Sequence, residues 1–246
     1  MVAPSRAVIR SMAPPRVSKL QTPFAVYSYT VTDAQPIWTR PERGSRGPTP
    51  GHSRDEIVAA AIALADAEGL PAVSMRAVAT ALGTTAGSLY RYLSSRDDLL
   101  DLMTDHAVAE LQPYPEPAGS WVDQMLQLAA GQLELHRRHR WLADVVQRPS
   151  AVGPAALAWF DHCLGVLEPT LAPTAAKFEA IAVVTGTVVL FSRNPPANAR
   201  NPFANLDPAT YPHLTTALAT PGNPPRSDLF ERALRSLLTG LLDNKN

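Results

Sequence analysis

Cysteine is almost absent: Cys163 stands alone among 246 residues, so no internal disulfide can form. That excludes the disulfide-stapled secreted scaffolds and suits a reducing compartment, the cytoplasm. A lone cysteine of this kind is expected to serve as a small apolar residue on a core helix. Long apolar runs are missing too. The longest uncharged one, Ala180 to Ser192, falls short of the ~20 residues that cross a bilayer, so a soluble chain is expected. Catalytic and metal motifs are lacking. The six histidines are scattered, with no His-Glu-x-x-His pair, no Gly-x-Ser-x-Gly elbow and no phosphate-cradling glycine loop. His136 and His139 lie three apart, but the arginines around them disfavour a cation. Neither enzyme activity, nor a metal, nor a cofactor is expected.

Net charge is also lacking, at 22 basic against 22 acidic side chains. A uniform zero would argue against a nucleic-acid binder, but the distribution is uneven. Residues 1–52 hold seven basic groups against Asp33 and Glu42, which makes them +5 and the remainder −5. A basic arm on a mildly acidic body suits a protein that grips DNA at one end. Proline divides the chain in the same way. Of 24 prolines, eight lie in residues 1–52, three in 113–117 and eight in 195–225, marking an arm, a hinge and a long loop. Residues 1–36 show no sustained period and are expected to be a disordered extension. The Arg/Gly/Pro segment 37–52, with Arg40, Arg43 and Arg46, is expected to lie extended along the minor groove.

What is present is helix punctuation. Ser53-Arg54-Asp55-Glu56 has the form of a capping box and opens a helix that ends before Gly69. Ser74 can cap a second, short helix with Val78, Ala79 and Leu82 on its apolar side, closed by Gly83. Thr84 or Thr85 can cap a third, in which Leu89 and Leu93 face inward. Thr85, Ala86, Ser88, Tyr90 and Tyr92 are then left at or near the outer surface. Ser95-Arg96-Asp97-Asp98 begins a fourth helix running to Leu111. Two short helices joined by a tight glycine turn and set between two longer ones form a helix-turn-helix.

Beyond the hinge the reading remains helical. Ser120 caps a run from Trp121 to Leu135 that ends in Arg137-Arg138-His139-Arg140, a basic cluster suited to a helix C-terminus. A short helix at 141–146 follows, then one opened by Pro154, one starting at Thr174, and a last one capped by Ser227. The two final long helices are apolar over more than one face, so each must be covered on several sides.

The run Ile57-Val-Ala-Ala-Ala, Asp66-Ala-Glu-Gly-Leu, Ser74-Met-Arg-Ala-Val-Ala, Leu82-Gly, Ser88-Leu-Tyr-Arg-Tyr and Asp98-Leu-Leu-Asp-Leu resembles the TetR (tetracycline-repressor-like) family over about 60 gapless residues. Residues 121–192 resemble, more loosely, the C-terminal domain of the tetracycline-repressor branch. The resemblance implies an all-α protein with a helix-turn-helix domain and connecting helix at 53–112, and a C-terminal ligand-binding and dimerisation domain at 118–246. It implies a homodimer through Ala175–Phe191 and Leu229–Leu242, bound to a palindromic double-stranded operator and released by a small, largely apolar effector. Thr84, Thr85, Ala86, Gly87 and Ser88 are expected near base edges. Tyr90 and Tyr92 are expected on phosphates and bases, and Arg76 and Arg96 on phosphates. Many family members carry histidine where Tyr92 stands. An effector cavity would be lined by Trp121, Met125, Trp141, Trp159, Phe160 and Phe178, with His136, His162 and Thr185 as orienting polar groups. No histidine follows Trp141 where the tetracycline repressor holds its magnesium chelate, so that drug is not expected. The alternative is a constitutive or architectural DNA-binding dimer with no effector.

Overall fold

A computed structural model describes residues 36–40, 51–145, 148, 152–193, 203, 206–219 and 228–243. The fold is all-α, with no strand among the described residues. Among the described residues ten α-helices follow in order: α1 (Arg54–Glu68), α2 (Met75–Ala81), α3 (Ala86–Leu89), α4 (Arg96–Ala109), α5 (Trp121–Arg138), α6 (Leu142–Val145), α7 (Pro154–Val166), α8 (Thr174–Ser192), α9 (Pro212–Ala219) and α10 (Leu229–Leu242).

The helix starts follow from their caps. Ser53 and Glu56 exchange bonds reciprocally, as do Ser120 and Asp123, so two orphan N–H groups are satisfied at the head of α1 and again of α5. Ser74, Thr85 and Ser95 each accept from the N–H three residues on. Gly83 takes φ +65°, the left-handed conformation that closes α2. The third helix is shorter than its pattern predicts: α3 stops at Leu89, and Tyr90 begins a non-helical turn. The proline-rich loop is not continuous coil either, because α9 forms within it with Pro212 at its first position, where the missing N–H costs nothing. Ser227 lies outside the described residues, and Asp228 precedes α10 without a side-chain cap bond.

Two hydrophobic cores form. The first gathers α1 to α4, and also takes in Leu135, Trp141, Leu142 and Val145 from the end of α5 and from α6. The second lies between α5, α7, α8 and α10, around Met125, Cys163, Leu167, Ile181 and Leu234. Burial pushes the Cys163 thiol up to about 12, so it stays protonated among apolar neighbours. Helix α8 is long and apolar enough, by length and composition alone, to cross a membrane, although it carries Lys177 and Glu179. It packs on α5, α10 and α7, and leaves apolar surface uncovered, with Leu190 66% exposed. On α10, Leu229 and Leu237 are exposed as well.

Candidate nucleic-acid interface and effector region

The turn between α2 and α3 is built from backbone. Gly83 N–H donates to the Thr80 carbonyl at 3.1 Å and Thr84 N–H to the Ala79 carbonyl at 2.9 Å. These bonds set α3 at a fixed angle to α2, while Leu89 at its base is fully buried. On the outer side three hydroxyls converge. Thr85 Oγ1 lies 2.8 Å from Ser88 Oγ, and Thr84 Oγ1 donates to Ser88 Oγ at 3.2 Å. Gly87 is exposed between them, and a Cβ there would meet only Thr85 Oγ1, at 3.9 Å. Tyr90 is 55% exposed beside them. The surface offers short hydroxyls and one phenol, fit for single hydrogen bonds and methyl contacts with bases and phosphates.

The arginines separate into two groups, which sequence alone could not do. Arg76 is exposed with no ion pair among the described residues, and so is Arg91, which sequence reasoning passed over. Arg91 stands next to exposed Tyr90 in the turn that follows the reading helix. Arg96, expected on a phosphate, instead donates from Nε to the Val73 carbonyl at 2.7 Å and from a terminal nitrogen to the Leu70 carbonyl at 3.2 Å. It clamps the segment before α2 onto α4. Arg40 is held likewise, against Asp98 Oδ2 at 3.0 Å and Ser94 Oγ at 3.0 Å.

The lead-in is not an extended strand where it is described. Ile37–Thr39 form a single 3-10 turn, and Ile37 is buried in the first core because an isoleucine gains more from the core than from solvent. Arg54 fastens this turn, reaching the Arg40 carbonyl at 2.9 Å and the Tyr92 carbonyl at 3.3 Å. Arg43 and Arg46 lie outside the described residues. Tyr92, expected near the outer surface, is 8% exposed and belongs to the first core, because the turn after Leu89 rotates it inward.

Helix α4 ties this unit to the rest of the chain. At its far end Glu110 accepts from His139 Nε2 at 3.0 Å, and the other ring nitrogen, Nδ1, faces Asp66 of α1 at 2.8 Å. Trp141 Nε1 donates to the same Asp66 oxygen at 2.8 Å. The basic cluster after α5 is therefore more than a helix-dipole partner: buried His139 bridges carboxylates of α1 and α4. In the middle of α4, Asp105 accepts from the N–H groups of Ala155 (2.9 Å) and Ala156 (3.2 Å), capping α7 from outside. Burial raises the Asp105 carboxyl above its usual range, against the two amides that lower it.

The expected effector residues do not all meet. Met125, Trp159 and Thr185 are buried in the second core or at its edge, and Trp121 and Phe160 pack against it. Phe160 and Phe178 lie 6.2 Å apart, ring to ring. His162 stacks on Tyr114, 4.1 Å away, a hinge residue that sequence reasoning did not single out. Trp141 belongs instead to the first core, because its indole N–H is drawn to Asp66. His136 is 4% exposed, and burial lowers it to about 4, so it is neutral. One turn before it on α5, Gln132 donates to Thr185 Oγ1 at 3.2 Å. Gln132 was also missed, since a lone glutamine on an apolar face carries no spacing signal. Among the described residues, no group of three or more His, Cys, Asp or Glu side chains could hold a metal ion.

A family model described as bacterial regulatory proteins, tetR family, matches residues 57–103, and one described as tetracyclin repressor-like, C-terminal domain, matches 112–244. A similar relative is the HTH-type transcriptional repressor DrrR1 of Streptomyces coeruleorubidus, 38% identical over 64% of this chain and 59% of that one. Another is an HTH-type transcriptional regulator of Saccharopolyspora erythraea, 33% identical over 62% and 64%. The chain thus spans about three fifths of the length of these curated relatives. Among solved structures, ActR of Streptomyces coelicolor in complex with actinorhodin superposes with a TM-score of 0.65 at 26% identity, covering 79% of this chain and 97% of that one. BioQ with its double-stranded DNA operator, at 18% identity and TM-score 0.55 over 77% and 98%, shares the fold.

Proposed function

The chain belongs to the tetR family of bacterial regulatory proteins, a DNA-binding transcriptional regulator, and from that premise we propose a ligand-released repressor that works in the cytoplasm as a homodimer. The observation that carries the DNA-reading assignment is the Thr85–Tyr90 surface on a backbone-fixed turn, where Thr85, Gly87 and Tyr90 are exposed, flanked by Arg76 and Arg91, which are exposed and have no ion pair among the described residues. Two such surfaces, related by a two-fold axis and about 34–36 Å apart, would read a palindrome with half-sites one helical turn apart. Thr84, Thr85, Ala86, Gly87 and Ser88 approach base edges, and Tyr90, Arg76 and Arg91 hold phosphates. Arg43 and Arg46 add phosphate or minor-groove contacts from the lead-in.

The dimer rests on the apolar surface left open on α8 and α10, including Leu190, Leu229 and Leu237. A second copy of the pair would complete a four-helix bundle and remove that surface from water. The effector is placed in the C-terminal domain, in keeping with the ActR structures that hold (S)-DNPA or actinorhodin. Helix α4 is the transmission element, because it is fastened to α7 through Asp105 and to α1 and α5 through Glu110 and His139. A coupling of ~1–3 kcal/mol would release DNA ~5–150-fold.

Selection of bound duplexes from a random pool is expected to return a palindrome. Tyr90→Phe is expected to weaken all duplexes alike, whereas Thr85→Ala or Ser88→Ala should change base preference. A pool with no enriched two-fold motif, or a monomer by light scattering at micromolar concentration, would overturn the proposal.

A further inference from the structure

The DNA-reading unit is closed by a segment that precedes its family signature. The signature begins at Ile57, yet the first core also encloses Ile37, which is 2% exposed, and Trp38 packs against it. The turn that carries them is closed on itself. The Pro36 carbonyl accepts from the Thr39 N–H at 3.0 Å and from the Thr39 hydroxyl at 2.8 Å. A single 3-10 turn has too few bonds to persist alone. Packing on α4, with Ile37 in the core, holds it in place.

Two arginines join this turn to the one that follows α3. Arg54 donates from one terminal nitrogen to the Ile37 carbonyl at 3.4 Å and the Arg40 carbonyl at 2.9 Å, and from Nε to the Tyr92 carbonyl at 3.3 Å. Arg40 reaches Ser94 Oγ and Asp98 Oδ2, both at 3.0 Å. The same Asp98 oxygen accepts from the Ser94 N–H at 2.8 Å. Tyr92 and Ser94 are thus both held through the lead-in. The reading surface depends on that hold. Helix α3 has only four residues, too few to keep its own geometry. Tyr90 and Arg91 lie beyond its last residue, between Leu89, which is fully buried, and the anchored Tyr92 and Leu93.

We propose that Ile37–Arg40, fastened by Arg54, is a positioning element for DNA recognition: it sets where Tyr90 and Arg91 meet the phosphates. The inference rests on the DNA-reading assignment above and extends its machinery to residues outside the helix-turn-helix. Arg40 and Arg54 act through the turn after α3 rather than on the DNA. A guanidinium suits that task, because its rigid fork can serve several oxygens at once. Arg76 stands outside this control. It lies on α2, and the segment before α2 is fastened separately, by Arg96 to the Val73 and Leu70 carbonyls.

The test uses the full-length chain and a duplex selected from a random pool, with affinity read by fluorescence anisotropy. Tyr90→Phe and Arg91→Gln are each expected to weaken binding about fivefold in the wild-type background. In Ile37→Ala or Arg54→Lys, either further loss is expected to shrink below about twofold, while Arg76→Gln keeps its full effect. Ile37→Val keeps a branched apolar side chain and should restore the wild-type pattern. Arg54→Lys keeps the charge and loses the fork, so it carries the test if Ile37→Ala loses helicity by circular dichroism. Arg40→Gln should weaken binding with the salt slope unchanged; a slope reduced by about one would make Arg40 a phosphate contact and overturn its role. Without DNA, the amides of Tyr92 to Ser95 should exchange about tenfold faster in Ile37→Ala and Arg54→Lys than in the wild type, with those of α2 unchanged. Faster exchange across α1 to α4 alike, or losses from Tyr90→Phe and Arg91→Gln that stay fully additive, would reduce Ile37 to a core residue and overturn the proposal. A wild-type chain that selects no duplex would instead overturn the DNA-reading assignment, and amide exchange alone would then decide whether the lead-in fixes the turn.

Discussion

Replacing Gly153 by alanine probes how α4 is fastened to the C-terminal helices. Gly153 is the residue before α7, with φ −80° and ψ 170°, a backbone that any residue adopts. Space is what forbids a side chain there. A Cβ would stand 2.1 Å from Asp105 Oδ1, 2.3 Å from its Cγ and 2.8 Å from its Cβ. The last of these is not a flexible tip, so the whole Asp105 side chain must leave. Ala155 and Ala156 then lose their acceptor, and α7 has no cap of its own, since glycine precedes it and Pro154 follows. A lost N-cap costs ~0.5–2 kcal/mol, and a lost anion at a helix start ~0.3–1 kcal/mol. Releasing a carboxylate that burial had strained offsets part of this. The expected net cost is therefore about 1–2 kcal/mol, or ~2–4 °C in Tm for each kcal/mol in a chain of this size. Asp105→Ala should cost a similar amount, because it removes the same cap. The two changes delete one interaction, so the double variant should be about as unstable as the worse single one. Urea melts followed by circular dichroism decide it. A stable Gly153→Ala, or losses that add within ~0.3–0.5 kcal/mol, would refute the reasoning.

Other expectations follow from the same contacts. Arg96→Ala removes two bonds to carbonyls and should lower stability by ~1–3 kcal/mol while leaving the salt dependence of DNA binding unchanged; a shallower salt slope would make Arg96 a phosphate contact after all. His136 is lowered from 6.5 to about 4 by burial, so between those values the unfolded chain binds more protons and stability falls as pH falls. The loss is fully present below pH 4 and amounts to about 3 kcal/mol; denaturation of His136→Leu across that range should lack the step, and an identical pH profile would contradict it. Trp141→Phe deletes the donor to Asp66 and should cost about 1 kcal/mol in urea melts, less so in an Asp66→Asn background. Leu237→Glu on α10 should give a monomer in light scattering, and an unaltered mass would move the dimer contact elsewhere.

The local parts of the DNA-reading unit were legible because they are decided within four residues. Ser53, Ser74, Thr85, Ser95 and Ser120 are caps in the structure as their spacing indicates, and Gly83 takes the positive φ that ends α2. The family was legible for the same reason, since its signature is a run of caps, glycines and apolar positions in fixed order. Helix α9 was hidden by its prolines, which mark turns in general but serve equally well at a first helical position.

Side-chain fate was a different matter. Arg76, Arg91, Arg96 and Arg40 are the same residue type in similar local settings. Whether each reaches outward depends on carbonyls and carboxylates 23 to 58 positions away. Tyr92 turned inward because the chain after Leu89 leaves the helix, and Trp141 joined the first core because Asp66, 75 positions earlier, accepts its N–H. Gln132 acquired meaning only when α8 was laid against α5 and Thr185 met it. Backbone geometry and capping are short-range energies that sequence spacing encodes directly. Which polar groups end up paired, free or stranded is settled by contacts between distant segments, and only tertiary structure brings those together.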